Sequence, residues 1–353
     1  MIESIAEQLD EVKFKNLSPI SRRQFSVALA ASGGLSVMSV HASAPAKSFR
    51  VGALFAGQIN DRGFMEAGWR GLERARLELG VQTRFIDGVQ PRQALLEAAL
   101  TQLATSGADL VIAHGGQNNE ACQEVATRFP EVKFAVTQGG VVGTNLASYE
   151  VLQEESAYLA GVLAALTTRT GVVGHMSGIR VRPGLKGRAG FAAGVRDTNP
   201  QVRLVTNFSG NQDDNALSNR VALAQINAGA DVIFTMLNAG RNGVTQACRE
   251  RGVRQIGNVI DWVKTDPQLF VASAIADVSM AAFEAIMDAQ RGTLRTGAIH
   301  KIGLANEQAV RLSMAPDVSA AVREKVALAA HAIATGRIKV PEEYHGVEFP
   351  NPD

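Results

Sequence analysis

The chain has 353 residues, with 35 Lys or Arg against 34 Asp or Glu, which gives a formal net charge of +1 at pH 7. A balance so close to zero argues against a broad positive surface for nucleic acid or an anionic membrane. Hydrophobic residues make up 46% of the chain and aromatic residues 5%. Aliphatic side chains therefore fill the core, which is common in parallel α/β proteins.

The chain begins with a predicted export signal. Arg22 and Arg23 directly precede an apolar, uncharged segment at 26–40. Twin arginines before such a segment are read by the twin-arginine export machinery, and the segment is too short to span a bilayer. Small residues follow, and cleavage after Ala46 would make Lys47 the first mature residue. We predict a signal peptide at 1–46 and a periplasmic protein without a lipid anchor; the alternative is a cytosolic protein with a disordered leader.

Beyond the leader, β-branched runs alternate with amphipathic segments, the pattern of βαβ units. Strands are expected at 49–55, 82–86, 109–113, 133–137, 171–176, 203–208, 231–236 and 270–275. Helices are expected at 65–79, 92–105, 118–129, 154–168, 187–198, 215–228, 242–251, 278–290 and 318–335. Because the alternation restarts after the helix at 154–168, the sequence predicts two doubly wound halves. The elements left at the end suggest that the chain crosses between the lobes more than once.

Motifs for catalysis or metal binding do not occur. Cys122 and Cys248 stand alone without metal-ligand or redox spacing, so we expect buried free thiols rather than a disulfide. The nucleophile elbow, the P-loop, H-E-x-x-H and a G-x-G-x-x-G after the first strand are all missing. His114, at a strand end, is the histidine predicted to lie in a cleft, where lining a loop and touching a ligand are both open. We predict a protein that is not an enzyme and has no cofactor or metal.

The loops that follow the strands are the expected binding region, because ligands of open α/β sheets lie at the carboxyl ends of strands. These loops are rich in amides and glycines and contain a few aromatic rings. That composition suits a neutral polar ligand held by hydrogen bonds and stacking. Asp213 and Asp214 are interpreted as a cap for the helix that begins at Asn215.

Several motifs, in a fixed order, resemble those of the basic membrane protein, or PnrA-like, family of purine-nucleoside receptors that serve ABC importers. They are INDRGF at 59–64, VATRFPEVKF at 125–134, EESAYLAGV at 154–162, TGVVG at 170–174, GFAAG at 190–194, NP at 199–200, GADVIF at 229–234 and NGV at 242–244. The resemblance extends from Val51 to about Gly292, essentially the whole mature chain up to its last elements.

The resemblance implies an α/β protein of the type I periplasmic binding fold, in which two doubly wound, Rossmann-like lobes are joined by a hinge of three crossovers. By this likeness we expect the first lobe at 47–151 plus 259–292 and the second at 152–258 plus 293–353. The implied partners are a small purine-like ligand and an inner-membrane ABC permease.

The resemblance also implies where the ligand lies. The purine is expected to stack on Phe64. Two family carboxylates fall on the neutral Asn60 and on Thr137 or Gln138, and the family lysine that holds the sugar falls on Ala276. The loss of this lysine places a nucleoside in doubt, and Trp262 could supply a second stacking face or fill the space of the sugar. The expected ligand-binding residues are Asn60, Phe64, His114, Gln138, Gln212, Asn238, Gly240, Asp261 and Trp262.

We therefore expect a periplasmic receptor that captures a purine nucleoside or free base and delivers it to the permease. One alternative is a receptor for a sugar or another small polar solute on the same fold, and another is an exported cofactor enzyme. A cytosolic regulator would need a helix-turn-helix segment before the first lobe, where the sequence has the export signal. The basic cluster Arg180, Arg182, Lys186 and Arg188 is open to three interpretations: a solvated face, a permease-docking surface or an anion site.

Overall fold

The computed structural model describes residues 15–16, 48–61 and 63–352. Apart from Lys15–Asn16, the predicted signal peptide lies outside the described residues. The strands are β1 (Lys15–Asn16), β2 (Arg50–Phe55), β3 (Gln82–Ile86), β4 (Leu110–His114), β5 (Lys133–Thr137), β6 (Leu146–Val151), β7 (Val172–Ser177), β8 (Arg203–Phe208), β9 (Val232–Met236), β10 (Arg254–Val259), β11 (Phe270–Ala276), β12 (Ile299–Ile302) and β13 (Val310–Met314).

The helices cover both faces of the strands, as periodicity predicts. They are α1 (Phe64–Leu79), α2 (Gln93–Thr105), α3 (Asn119–Arg128), α4 (Gln153–Thr167), α5 (Arg182–Thr198), α6 (Asn215–Asn227), α7 (Arg241–Arg251), α8 (Ser279–Arg291) and α9 (Ala320–Ala334). The predicted bounds agree within two residues except at α5, which begins five residues earlier than expected. Among these helices, none is long and apolar enough to cross a membrane.

The strands form two sheets, one for each lobe. The first has the order β1-β3-β2-β4-β5-β6-β12 and the second the order β13-β11-β10-β9-β7-β8. Pairing is parallel throughout except for β1 against β3 and β13 against β11. The central strands are buried on both faces, as expected when helices cover a parallel sheet. The prediction of two doubly wound α/β lobes is confirmed.

The chain passes between the two sheets three times: between β6 and β7, between β11 and β12, and between β12 and β13. Two strands differ from the expected lobe boundaries. Phe270–Ala276, expected in the first lobe, pairs with β10 and β13 of the second sheet. Ile299–Ile302, expected in the second lobe, pairs with β6 of the first sheet. The second segment of the first lobe therefore begins after Ala276.

Helices α4 and α5 pack closely in the second lobe. A Cβ atom on Gly161 would overlap the carbonyl oxygen of Phe191, and one on Gly194 would overlap that of Tyr158. Close backbone approach of this kind requires glycine. This helix pair contains the motifs EESAYLAGV and GFAAG, whose glycines Gly161 and Gly194 allow the close packing of the two helices.

The basic cluster lies where the chain first leaves the first sheet. Each of its four residues forms an ion pair with a glutamate of the same chain. Lys186 is buried, and its ammonium lies 2.7 Å from Glu150, at the end of β6, and 2.6 Å from Glu154, in the first turn of α4. It also lies 3.3 Å from Glu342 of the C-terminal segment. Burial opposes the charge, but the glutamates raise the pKa of Lys186, whereas burial raises the pKa of Glu154 to about 7.

The remaining members of the basic cluster hold the C-terminal segment. Arg180 and Arg188 both pair with Glu348. Arg182, which is half-exposed, pairs with Glu150 and Glu342. Because each of these cations already has a carboxylate partner, the interpretation of the cluster as an anion site has no support from its contacts.

We predict that Lys186→Met lowers the free energy of unfolding by about 3–5 kcal/mol at pH 8, because the buried Glu154 loses its counter-ion and Glu150 keeps only Arg182. The loss should shrink as the pH falls from 8 to 5. Burial has already raised the pKa of Glu154 above its unfolded value, so protonation on acidification favours the folded state once the lysine is gone. Urea denaturation at the two pH values, with wild type as reference, measures the effect.

Arg182→Gln is the matched control, because it removes one positive charge from the same helix at a half-exposed position. It should cost less than about 1 kcal/mol at either pH. An equal loss for both variants, or a loss in Lys186→Met that does not change with pH, would contradict the assignment of Lys186 as the buried counter-ion.

Candidate functional site

The predicted site residues come from the carboxyl ends of strands in both sheets, and the two lobes approach each other there. A Cβ atom placed on Gly63, in the loop after β2, would lie 3.0 Å from Oδ1 of Asn238, in the loop after β9. A side chain at position 63 would therefore contact the Asn238 amide, which would have to shift by a few tenths of an ångström. These two loops therefore face each other between the lobes, and the space that they border is the candidate cleft.

Asp61 sets the start of α1. Its Oδ1 accepts hydrogen bonds from the backbone N–H groups of Gly63 at 2.8 Å and Glu66 at 3.0 Å, and its Oδ2 accepts one from Met65 at 3.0 Å. A carboxylate is favoured at a helix N-terminus, where backbone N–H groups lack helical partners. Asp61 thus fixes the first residue of the helix, Phe64, at the cleft.

Phe64 stacks on His114, with ring centroids 4.3 Å apart and an angle of 27° between the planes. His114 is fully buried, and its Nε2 lies 2.9 Å from the carbonyl oxygen of Phe64. Since a carbonyl only accepts, Nε2 donates, and Nδ1 accepts from the Thr137 hydroxyl at 2.6 Å. Burial lowers the pKa of His114 to about 4. His114 is therefore a neutral imidazole that supports the ring of Phe64 from the protein interior and is not exposed to the candidate cleft.

The two positions at the end of β5 serve the protein itself. Thr137 is buried against His114, as described above. Gln138 is buried, and its amide oxygen accepts from Val151 N at 2.6 Å while its amide nitrogen donates to Val151 O at 3.1 Å. Gln138 thus connects the end of β5 to the end of β6, where the chain leaves the first sheet. The backbone of Gln138 has a positive φ of 53°. Its prediction as a ligand-binding residue has no support from these contacts.

In the second lobe, the loops after β8 and β9 are joined. The backbone oxygen of Gln212 accepts from Asn238 N and Gly240 N, both at 3.1 Å. A Cβ atom on Gly240 would lie 2.8 Å from that oxygen, which explains the glycine. Among the described residues, Oε1 of Gln212 is buried without a hydrogen-bond partner. Across the cleft, Asn60 is exposed. Amides are therefore present on both walls.

The loop after β10 folds tightly around Trp262. Val259 has a φ of 68°, in the left-handed region that β-branched residues rarely adopt. Trp262 Nε1 donates to Asn258 O at 3.0 Å, and a Cβ atom on Gly257 would overlap the indole. Within the described part of the chain, Oδ1 of Asp261 is buried without a partner, while its Oδ2 lies 3.7 Å from Lys264.

Arg241 is the residue of this wall that the sequence analysis missed. Its guanidinium carbon lies 3.4 Å from the centroid of the Trp262 ring, so one indole face is already covered. Its backbone N–H donates to Asn238 O at 3.2 Å, which places it next to the interlobe approach. A sequence signal was available: a basic residue in the first turn of a helix opposes the usual preference for acidic ones there.

The position of the family lysine is apolar in this protein. Ala276 is buried at the end of β11, and the next residue, Asp277, accepts a hydrogen bond from Ser279 N at 3.0 Å at the start of α8. Neither residue supplies a charged donor. Contacts among the described residues link Gln212, Asn238, Gly240, Arg241 and Trp262 in the second lobe. Phe64 follows Gly63, which approaches Asn238 from the first lobe, and His114 stacks on Phe64. Ligand binding by these residues, and by the nearby Asn60 and Asp261, stays a prediction.

Comparisons with known proteins identify the family of the chain. A family model described as ABC transporter substrate-binding protein PnrA-like matches residues 49–343. The CD4+ T-cell-stimulating antigen of Listeria monocytogenes is 28% identical over 309 residues, covering 81% of this chain and 86% of its own. A purine-binding protein of Brucella abortus is 24% identical over 235 residues, 65% of each chain.

A solved structure extends the comparison to three dimensions. An ABC transporter solute-binding protein from Aeropyrum pernix K1 superposes with a TM-score of 0.72 at 26% identity, covering 84% of this chain and 94% of its own. The fold is the type I periplasmic binding fold, as the sequence resemblance implies.

We predict that Thr137→Val destabilises the protein by about 1–3 kcal/mol, because the buried Nδ1 of His114 loses its hydrogen-bond donor while the shape of the side chain is kept. Thr137→Ser is the matched control, since it keeps the hydroxyl and loses only a methyl group. Chemical denaturation at pH 7 compares the two. A larger loss in the serine variant than in the valine variant would show that the methyl packing matters more than the hydrogen bond.

Proposed function

Because the chain belongs to the PnrA-like family of ABC transporter substrate-binding proteins, we propose that it is the receptor of an importer. It captures a purine-like heterocycle between its lobes and delivers it to an inner-membrane permease. The observation that carries this proposal is the ring of Phe64, stacked on a neutral imidazole at a cleft whose other wall carries amides and an indole. An uncharged aromatic plate suits a flat heterocycle.

The polar groups of the cleft complement the edge of such a ring. The unpartnered oxygens of Gln212 and Asp261 can accept N–H groups, and the amide of Asn238 can donate or accept. Buried polar atoms of a ligand require partners of this kind, and a ligand that lacks them is rejected. These groups orient a base, and none is placed as a nucleophile next to a general base, so we assign capture without chemistry.

A free base fits this cleft better than a nucleoside. Ala276 offers no charged donor to ribose hydroxyls, and the indole of Trp262, held over Gly257 with Arg241 on one face, occupies space in the second wall. The purine-binding relative from Brucella abortus supports a purine-like ligand. The same proposal includes export of the protein by the twin-arginine route and ligand capture in the periplasm.

Thermal unfolding tests the ligand class. The purified protein, freed of co-purified ligand by unfolding and refolding, is heated with purine bases, nucleosides, pyrimidines, sugars and amino acids. A ligand at 100 times its Kd stabilises by about 2.7 kcal/mol, which raises the Tm at roughly 2 °C or more per kcal/mol. We expect the rise with bases. A rise with sugars alone would replace the proposal by the polar-solute receptor.

Phe64→Ala should lower the affinity for the base that raises the Tm by about 5- to 150-fold, because ring stacking contributes about 1–3 kcal/mol. Leu77→Ala is the matched control, because Leu77 is exposed at the far end of the same helix. Isothermal titration calorimetry measures both. Equal affinities in the two variants would remove Phe64 from the binding site.

A further inference from the structure

Arg241 is a buried cation without a counter-ion in the described part of the chain. Arg241 is only 9% exposed. Its guanidinium forms neither an ion pair nor a hydrogen bond with any described residue. The other buried cations, Lys186 and Arg188, pair with glutamates. A buried charge is normally paired because desolvation is costly, so Arg241 calls for a partner from outside the chain.

The local field makes this site more positive still. Arg241 is the first residue of α7, whose first turn contains no acidic residue. The N-terminus of a helix carries a partial positive charge and exposed N–H groups. Burial alone lowers the pKa of Arg241, to about 10, so the guanidinium remains protonated at neutral pH. Cation and helix terminus therefore act in the same direction.

The guanidinium is held at the cleft. Trp262 lies under it at 3.4 Å, a cation–π contact that fixes the position of the charged group. The carbonyl of Asn238, which accepts from the backbone of Arg241, belongs to the residue that approaches Gly63 of the opposite lobe. Trp262 is thus a positioning residue for Arg241, and a ligand between the lobes lies within reach of the charge.

We propose that the ligand carries an anionic oxygen, as a carboxylate substituent or as an acidic ring, and that this oxygen pairs with Arg241 while the ring lies on Phe64. A guanidinium donates two parallel hydrogen bonds to such a group. A neutral base would leave the cation unpaired when the lobes close. This inference rests on the proposed receptor function and narrows its substrate class from purine-like heterocycles to anionic ones.

The test uses pairs of probes that differ in charge. Orotate is compared with uracil and nicotinate with nicotinamide, for a carboxylate; urate is compared with hypoxanthine, for an acidic ring. Calorimetry at pH 7.5 with the refolded protein should give tighter binding of the anionic member in at least one pair, by about 30-fold or more. Equal or tighter binding of the neutral member in every pair that binds would overturn the inference.

Arg241→Gln should abolish the preference for the anionic member of the responding pair, measured as the ratio of the two affinities in the same variant. Arg251→Gln, which removes an exposed charge from the last turn of the same helix, should keep the preference. Arg241→Lys keeps the charge, so the preference should persist even if Arg241→Gln fails to fold. A preference that survives in Arg241→Gln would overturn the inference.

Ring-free carboxylates separate this inference from the proposed function. If succinate or gluconate binds in an Arg241-dependent way while no heterocycle binds, the charge assignment stands and the heterocycle receptor fails. If neutral bases bind and no anion does, the receptor stands and the charge assignment fails. Silence of the wild type toward every anion, with or without a ring, overturns the charge assignment as well.

Discussion

The arrangement of the lobes depends on one buried ammonium group. Lys186, on the second lobe, lies between Glu150 at the end of the first sheet and Glu154 at the start of the crossover helix. A buried ion pair persists only while both signs stay together, so α5 cannot move away from the first crossover without exposing uncompensated charge. Glu342 adds the C-terminal segment to the same group. These ion pairs thus tie α5 and the C-terminal segment to the first crossover.

The approach of Gly63 to Asn238 is suited to such separation. Asn238 forms its hydrogen bonds through its backbone within the second lobe, to Gln212 and Arg241, and the lobes meet there through a glycine. Among the described residues, no ion pair joins these two loops. A cleft that is anchored by charge on one side and merely in contact on the other can close on a ligand with little loss of protein–protein interaction, as hinge closure requires.

The sequence predicted the fold far better than the crossings between lobes. Strands that are apolar throughout, such as Leu110–His114, were found because a doubly buried strand is a continuous apolar run. Leu146–Val151 and Arg254–Val259 were missed because Ser148, Glu150, Gln255 and Gly257 interrupt that run. Without β10, the partner of Phe270–Ala276 could not be identified, and the strand was assigned to the wrong lobe. The apolar sequence of a buried strand does not show which of the two sheets the strand joins.

The site was predicted in part for a related reason. The loops at strand ends bring Asn238 near the first residues of α1, and Trp262 contacts the neighbouring Arg241. That Phe64, Asn238 and Trp262 contact a ligand stays a prediction. Gln138 illustrates the difficulty, because an amide in a loop can bind a backbone or a ligand, and its hydrogen bonds to Val151 cannot be read from the sequence. Arg241 was missed because a basic residue in sequence shows no partner. In the sequence, Lys186 and Arg241 are both simply basic residues of a helix. Only the structure shows that Lys186 has glutamate partners, whereas Arg241 has none among the described residues.

Three unfavourable features lie close together in the second lobe, and they support the proposal that a ligand completes this part of the candidate cleft. Val259 adopts a left-handed backbone, a strain of about 1–3 kcal/mol. Asp261 has a buried oxygen without a donor among the described residues, and Arg241 has a buried charge without a carboxylate there. A ring that presents an N–H to Asp261 and an anionic oxygen to Arg241 relieves two of these at once. Groups left unsatisfied in the free protein then contribute selectively to the bound state, which is how a receptor distinguishes its ligand from a neutral analogue of the same shape.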